Sequence, residues 1–97
     1  MPAYLSLVNF TEQGLHTIKD TVQRGQMIKK QAEAVGGRVI GIWWLLGQYD
    51  AMIIFEAPDE DTAMRQLLAS GMQGNSRSTT LRAFSEDEMT RIVGGLP

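Results

Sequence analysis

Apolar positions recur along the chain with two periods, and the changes of period mark the elements. Tyr4 to Phe10 is rich in strand formers and short enough to be one strand. Thr11 can cap a following helix, and Glu12 beside it is favoured by the helix dipole. A helical pattern then runs to Val35 in two phases. Leu15, Ile18 and Val22 share one face, while Ile28, Ala32 and Val35 share another. At 100° per residue the two faces differ by about 105°, or about one residue. This offset predicts an interruption between Val22 and Met27, near Gly25, which tolerates unusual backbone angles. Gly36-Gly37 ends the helix, because glycine enters the left-handed region without strain.

Val39 to Leu46 is too short for a typical helix and is rich in β-formers. Gly47-Gln48 reads as a tight turn, and Ala51 to Phe55 as the returning strand of a hairpin. Pro58 stops that strand. Asp59 caps a second helix whose apolar stripe is Ala63, Met64, Leu67 and Leu68, and Gly71 ends it. From Ser78 to Phe84, Thr79, Leu81 and Ala83 alternate with Ser78, Thr80 and Arg82, the pattern of a half-buried strand. Ser85 and Glu88 form a capping box at the start of a short helix that reaches Val93. The order βαββαβ plus a terminal helix predicts an α+β, ferredoxin-like fold. Two helices cover one face of a four-stranded antiparallel sheet, and the other face stays open.

Register makes that open face informative. An even turn at Gly47-Gln48 pairs Leu45 with Asp50. One face then carries Ile40, Ile42, Trp44, Leu46, Tyr49, Ala51, Ile53 and Phe55. The other carries Val39, Gly41, Trp43, Leu45, Asp50, Met52, Ile54 and Glu56. A sheet with one wet face should alternate apolar and polar, but this hairpin is apolar on both sides. The helices cover only one side, so a second copy of the chain is expected on the other. A homodimer or higher homo-oligomer is therefore predicted.

Composition narrows the functional classes. With 97 residues, 43% of them hydrophobic, residues 1–97 read as one domain with one core. There is no cysteine and a single histidine, which excludes a disulfide scaffold, a thiolate nucleophile and a cysteine-based metal site. The net charge of −2 argues against nucleic-acid binding by a basic surface. The predicted strands also lack the paired aromatic and basic residues that stack bases. No apolar run approaches the roughly 20 residues that span a membrane. The first residues, Met1-Pro2-Ala3-Tyr4, lack the basic-then-apolar order of a signal peptide, so a cytoplasmic setting is expected. No motif calls for a cofactor or a metal.

Gly47-Gln48-Tyr49-Asp50 resembles the motif that gives the GYD domain family its name. Glu56-Ala57-Pro58-Asp59-Glu60 is similar to that family's exit from the hairpin. Gly74-Asn75-Ser76-Arg77, followed by Thr79-Thr80-Leu81-Arg82-Ala83-Phe84, resembles its last strand. Asp20-Thr21-Val22-Gln23-Arg24 falls where the family shows Asp, a small hydroxyl residue, Pro, any residue and Arg, with Val22 in place of the proline. The resemblance covers nearly the whole chain. It implies a ferredoxin-like fold of the dimeric α/β-barrel kind and no particular reaction.

Four residues are candidates for a ligand site: Arg24, Trp43, Tyr49 and Asp50. Asp50 beside Tyr49 is either turn chemistry or a pocket acid next to a phenol. Arg24 can present its planar fork to a bound acid, or pair with Asp20 one turn earlier. Trp43 and Trp44 point to opposite faces, so one belongs to the core and the other to an interface or a ligand. Glu56 lies about 20 Å along the strand from Asp50, too far for a carboxylate dyad, and is expected to pair with a base such as Arg82. His16 projects from the flank of its helix into water. Asp59-Glu60-Asp61 and Glu86-Asp87-Glu88 open helices, where the dipole favours acids, and neighbouring helical residues fan apart rather than converge on a metal. Gly71 to Arg77 could cradle an anion, but it lacks the strand–loop–helix order of a nucleotide site. Two functional readings stand: a small-molecule-binding protein or cofactor-free enzyme, and a non-catalytic oligomerisation or ligand-sensing module.

Overall fold

The computed structural model describes residues 1–97. Strand β1 (Ala3–Phe10) leads into a short helix α1 (Glu12–His16), a 3-10 turn over Ile18–Asp20 and helix α2 (Thr21–Ala34). Strands β2 (Arg38–Trp44) and β3 (Ala51–Glu56), helix α3 (Glu60–Met72), strand β4 (Ser76–Ala83) and helix α4 (Glu86–Gly94) complete the chain. The strands form one antiparallel sheet in the order β2-β3-β1-β4. This is the predicted ferredoxin-like arrangement.

The pairing defines rows of residues across the sheet. On the helix side one row reads Val39, Phe55, Tyr4, Arg82, the next Ile42, Ile53, Ser6, Thr80, and the third Trp44, Ala51, Val8, Ser78. Each row is apolar at β2 and polar at β4. The core sits on the first row. Tyr4 stacks on Phe55 with ring centroids 5.2 Å apart, and Ala57, Ala63, Val39 and Leu67 close around them. The opposite side of the sheet carries Gly41, Ile54, Leu5, Leu81 in one row and Trp43, Met52, Leu7, Thr79 in the other. Those rows are apolar across nearly the whole sheet.

Three expectations are corrected. The helical interruption falls at Thr17–Asp20, ahead of the predicted span, and α2 runs unbroken through Gly25. Thr17 leaves helical geometry with φ −112° and ψ 30°. The α2 stripe facing the sheet is Thr21, Gly25, Ile28 and Ala32, at a spacing of four, three, four. Counting only apolar residues misses it, because Gly25 is selected there for its size. A Cβ on Gly25 would stand 3.3 Å from Ile42 Cδ1, so its absence lets α2 settle on β2. The second correction is a bulge in β2 between Val39 and Gly41. It turns Val39 to the helix side opposite Phe55 and leaves Ile40 exposed. The third concerns only the partner of Glu56: it pairs with a base on another strand as expected, but that base is Arg38 of β2, while Arg82 pairs with Glu88 of α4 at 2.8 Å.

Candidate functional site

The helix side of the sheet is incompletely filled. Only ten of the 97 residues are buried, and no large side chain is wholly enclosed. Helix α2 packs over β2 and α3 over β4, so the helices stand apart above the middle strands. Between them lies a cleft of about 150 Å³. Its floor combines Ile42, Trp44 and Ile53 with Ser6, Ser76 and Ser78, and its walls include Thr21, Arg24 and Gln31 of α2 and Gln66, Ser70 and Gln73 near α3. The row gradient therefore becomes a cleft that is apolar towards β2 and hydroxyl-rich towards β4. Ser6 and Thr80 satisfy each other through a 2.8 Å hydroxyl contact. Trp44 is fixed by its indole N–H, which donates to Thr21 Oγ1 at 3.0 Å.

Arg24 is the only charged residue lining the cleft. Its guanidinium Nη1 donates to the Thr17 carbonyl and to Thr17 Oγ1, each at 2.9 Å, and Nη2 donates to the Gly14 carbonyl at 3.3 Å. The Gly14 carbonyl belongs to the last turn of α1, and the Thr17 carbonyl also accepts from the Asp20 N–H at 2.9 Å. The chain's two ion pairs are Arg38–Glu56 and Arg82–Glu88, so Arg24 meets no carboxylate, Asp20 included.

The other candidate residues lie elsewhere. Trp43 is on the opposite side of the sheet, paired with Met52, with its ring over the bare Cα of Gly41. Tyr49 is in the connection between β2 and β3, half-buried and outside the cleft lining. That connection is six residues long, closed by a bond from Leu45 N–H to the Asp50 carbonyl at 2.9 Å. Asp50 faces β1: its N–H donates to the Val8 carbonyl and its Oδ2 accepts from Phe10 N–H, both at 2.8 Å. The structure brings Arg24 together with Trp44 and does not bring Trp43, Tyr49 or Asp50 to them.

The remaining motifs have structural partners. Asp59 accepts from Thr62 N–H at 2.8 Å and caps α3, which lowers its pKa. In α4, the Ser85 N–H and then Arg82 hold the Glu88 carboxyl down at about 2. The carbonyls of Gly74 and Asn75 are turned to Thr11, accepting from its hydroxyl and N–H. A loop that offers carbonyls in this way is no anion cradle. Ser6, Ser76 and Ser78 are the cleft residues that the sequence pattern did not flag. The signal was the hydroxyl side of the β4 alternation, which faces the helices where an apolar side was expected.

These features define a ferredoxin-like α+β domain with a mixed apolar and polar cleft between helices and sheet. The chain belongs to the GYD domain family, whose model matches residues 4–93. A protein of Thermus thermophilus named glutamine synthetase and cystathionine beta-lyase binding protein is 30% identical over 85 residues, covering 87% of this chain and 90% of that one. Among solved structures, TTHA0845 from Thermus thermophilus matches with a TM-score of 0.54 at 17% identity, over 88% of this chain and 95% of that one. At that identity the likeness speaks for the fold alone.

Proposed function

We propose that this chain is a cytoplasmic, homo-oligomeric binding protein that takes a small molecule in the cleft between α2, α3 and the sheet. The observation that carries the reading is the cleft itself. An apolar wall of Ile42, Trp44 and Ile53 faces hydroxyls and amides, with one cation between them. Binding sites are built in this way, from an apolar body and a few placed polar groups. No nucleophile–base pair lines the cleft, so binding is favoured over catalysis. The apolar rows on the open side of the sheet support self-association, with Trp43 as an anchor residue. Tyr49 and Asp50 then hold the hairpin that carries both surfaces.

The test is a thermal-shift screen against a metabolite library, followed by Trp44 fluorescence in a Trp43→Phe background. A hit should raise the melting temperature and change Trp44 emission. Hits that stabilise the protein without changing Trp44 emission would place binding elsewhere. A second reading is favoured by the Thermus relative, whose name assigns it two enzymes as partners. On that reading the exposed apolar residues Leu15, Ile18 and Val22, around the break between α1 and α2, serve as contacts for a protein. Sedimentation of this chain with its own organism's glutamine synthetase would show a shared boundary under this reading and separate boundaries otherwise.

A further inference from the structure

Resting on the cleft reading above, we propose that the ligand is a small organic carboxylate with a single ring or branched apolar body, and that Arg24 receives its carboxylate. Size gives the first limit. An apolar cavity of about 150 Å³ in another protein admits a benzene molecule, and this cleft has the same volume. A dinucleotide, a flavin or a long acyl chain would leave most of its surface outside this volume.

Charge gives the second limit. Among the lining residues there is one cation, Arg24, and no Asp or Glu. A half-buried guanidinium with no carboxylate partner is an unsatisfied electrostatic demand. The carbonyl oxygens at the end of α1 meet only part of it. A guanidinium has five N–H donors, and three contacts on Nη1 and Nη2 are made. Two of the five N–H groups, Nε–H among them, are left for a ligand, and a carboxylate with its two oxygens can accept both.

Positioning gives the third. Arg24 is tied across the turn at Ile18–Asp20 to main-chain oxygens of Gly14 and Thr17 at the end of α1, so its guanidinium is held before a ligand arrives. That lowers the entropic cost of the contact. The ring of such a ligand lies against Ile42, Trp44 and Ile53. A cationic ligand would meet Arg24 with like charge, and inorganic phosphate would leave the apolar wall wet.

The experiment is calorimetric titration of the intact protein with three probes of one shape: phenylacetate, phenylacetamide and benzylamine. We expect phenylacetate to bind, phenylacetamide to bind about 10-fold or more weakly, as hydrogen bonds to charged groups are stronger than neutral ones, and benzylamine not to bind. Arg24→Gln should weaken phenylacetate far more than phenylacetamide, so that the preference for the acid over the amide disappears. An unchanged circular dichroism spectrum and cooperative melt show that the variant is still folded. Equal binding of acid and amide would overturn the carboxylate inference while leaving the cleft reading intact. Failure of all three probes at millimolar concentration, together with an empty metabolite screen, would overturn both.

Discussion

At the scale of single residues, the structure gives Asp50 a defined partner. Its carboxylate takes the Phe10 N–H, tying the hairpin to β1. Asp50→Asn keeps an oxygen that can accept this bond, so it should cost less than about 1 kcal/mol. Asp50→Ala leaves the N–H of a half-buried residue unpaired and should cost about 1–3 kcal/mol. Urea denaturation of both variants separates these outcomes, and equal losses would deny the bond its role. Tyr4 is the opposite case. Its hydroxyl is buried with no partner, while its ring stacks on Phe55. Tyr4→Phe removes the unpaired group and keeps the stack, so the melting temperature should hold or rise. A clear fall would mean that the hydroxyl is satisfied in solution.

Elements are decided by contacts that the sequence signals only indirectly. The phase argument for an interruption between Val22 and Met27 fails, because that span lies inside the unbroken α2. Leu15, Ile18 and Val22, which set the first phase, are exposed and straddle the actual break at Ile18–Asp20, and Gly25 looks like a breaker until β2 is seen beneath it. Gly14, like Gly37, is a glycine where an added Cβ would meet backbone. A Cβ there would collide with the carbonyl of Asn75, where the loop before β4 presses on α1. Gly14→Ala should therefore cost about 1–3 kcal/mol through overpacking, whereas alanine at Gly71, which meets nothing, should cost little. Parallel melts of the two variants check the contrast. Helix α4 is held at its start by the Ser85–Glu88 capping box and the Arg82–Glu88 pair. Glu88 falls from its ordinary 4.5 to about 2 in the fold. A depressed acid contributes its stability in full above the ordinary value, and loses it as pH drops through the folded one. Amide protection in α4 should hold above pH 4.5 and fall as the pH approaches about 2. Protection unchanged to the bottom of that range would show that the cap does not govern the helix.

At the scale of the whole molecule, the two sides of the sheet differ in kind. The helix side grades from apolar to polar and holds a cleft, while the open side is mostly apolar in its two rows through Ile54 and Met52 and carries the Arg38–Glu56 pair at one end. Such a face exposed to water favours association. Ile54→Lys, in the middle of it between Leu5 and Gly41, should leave the monomer folded and abolish self-association. Sedimentation velocity with circular dichroism reads both. A folded variant that still associates would move the interface to another surface.

What the sequence determined by itself was whatever local periodicity and capping encode. The number and order of elements, the caps at Thr11, Asp59 and Ser85, the left-handed Gly36 and the hairpin register near Trp44 and Ala51 all follow from residues within a few positions of one another. The apolar character of both hairpin faces also followed, because side chains alternate along any strand. What only the tertiary structure decided depends on partners distant in the chain. The bulge between Val39 and Gly41 moved Val39 to the helix side and left Ile40 unpaired and exposed. The placing of Trp44, in place of Trp43, under α2 came from the fit of Gly25 over β2. The partner of Arg24 became the carbonyls of α1, since the turn at Thr17–Asp20 brings them to it ahead of Asp20. The cleft itself is a gap, formed because α2 packs over β2 and α3 over β4 and the two helices do not close on each other above β3 and β1. A space of that kind is set by the arrangement of elements in three dimensions, and no residue or short motif encodes it.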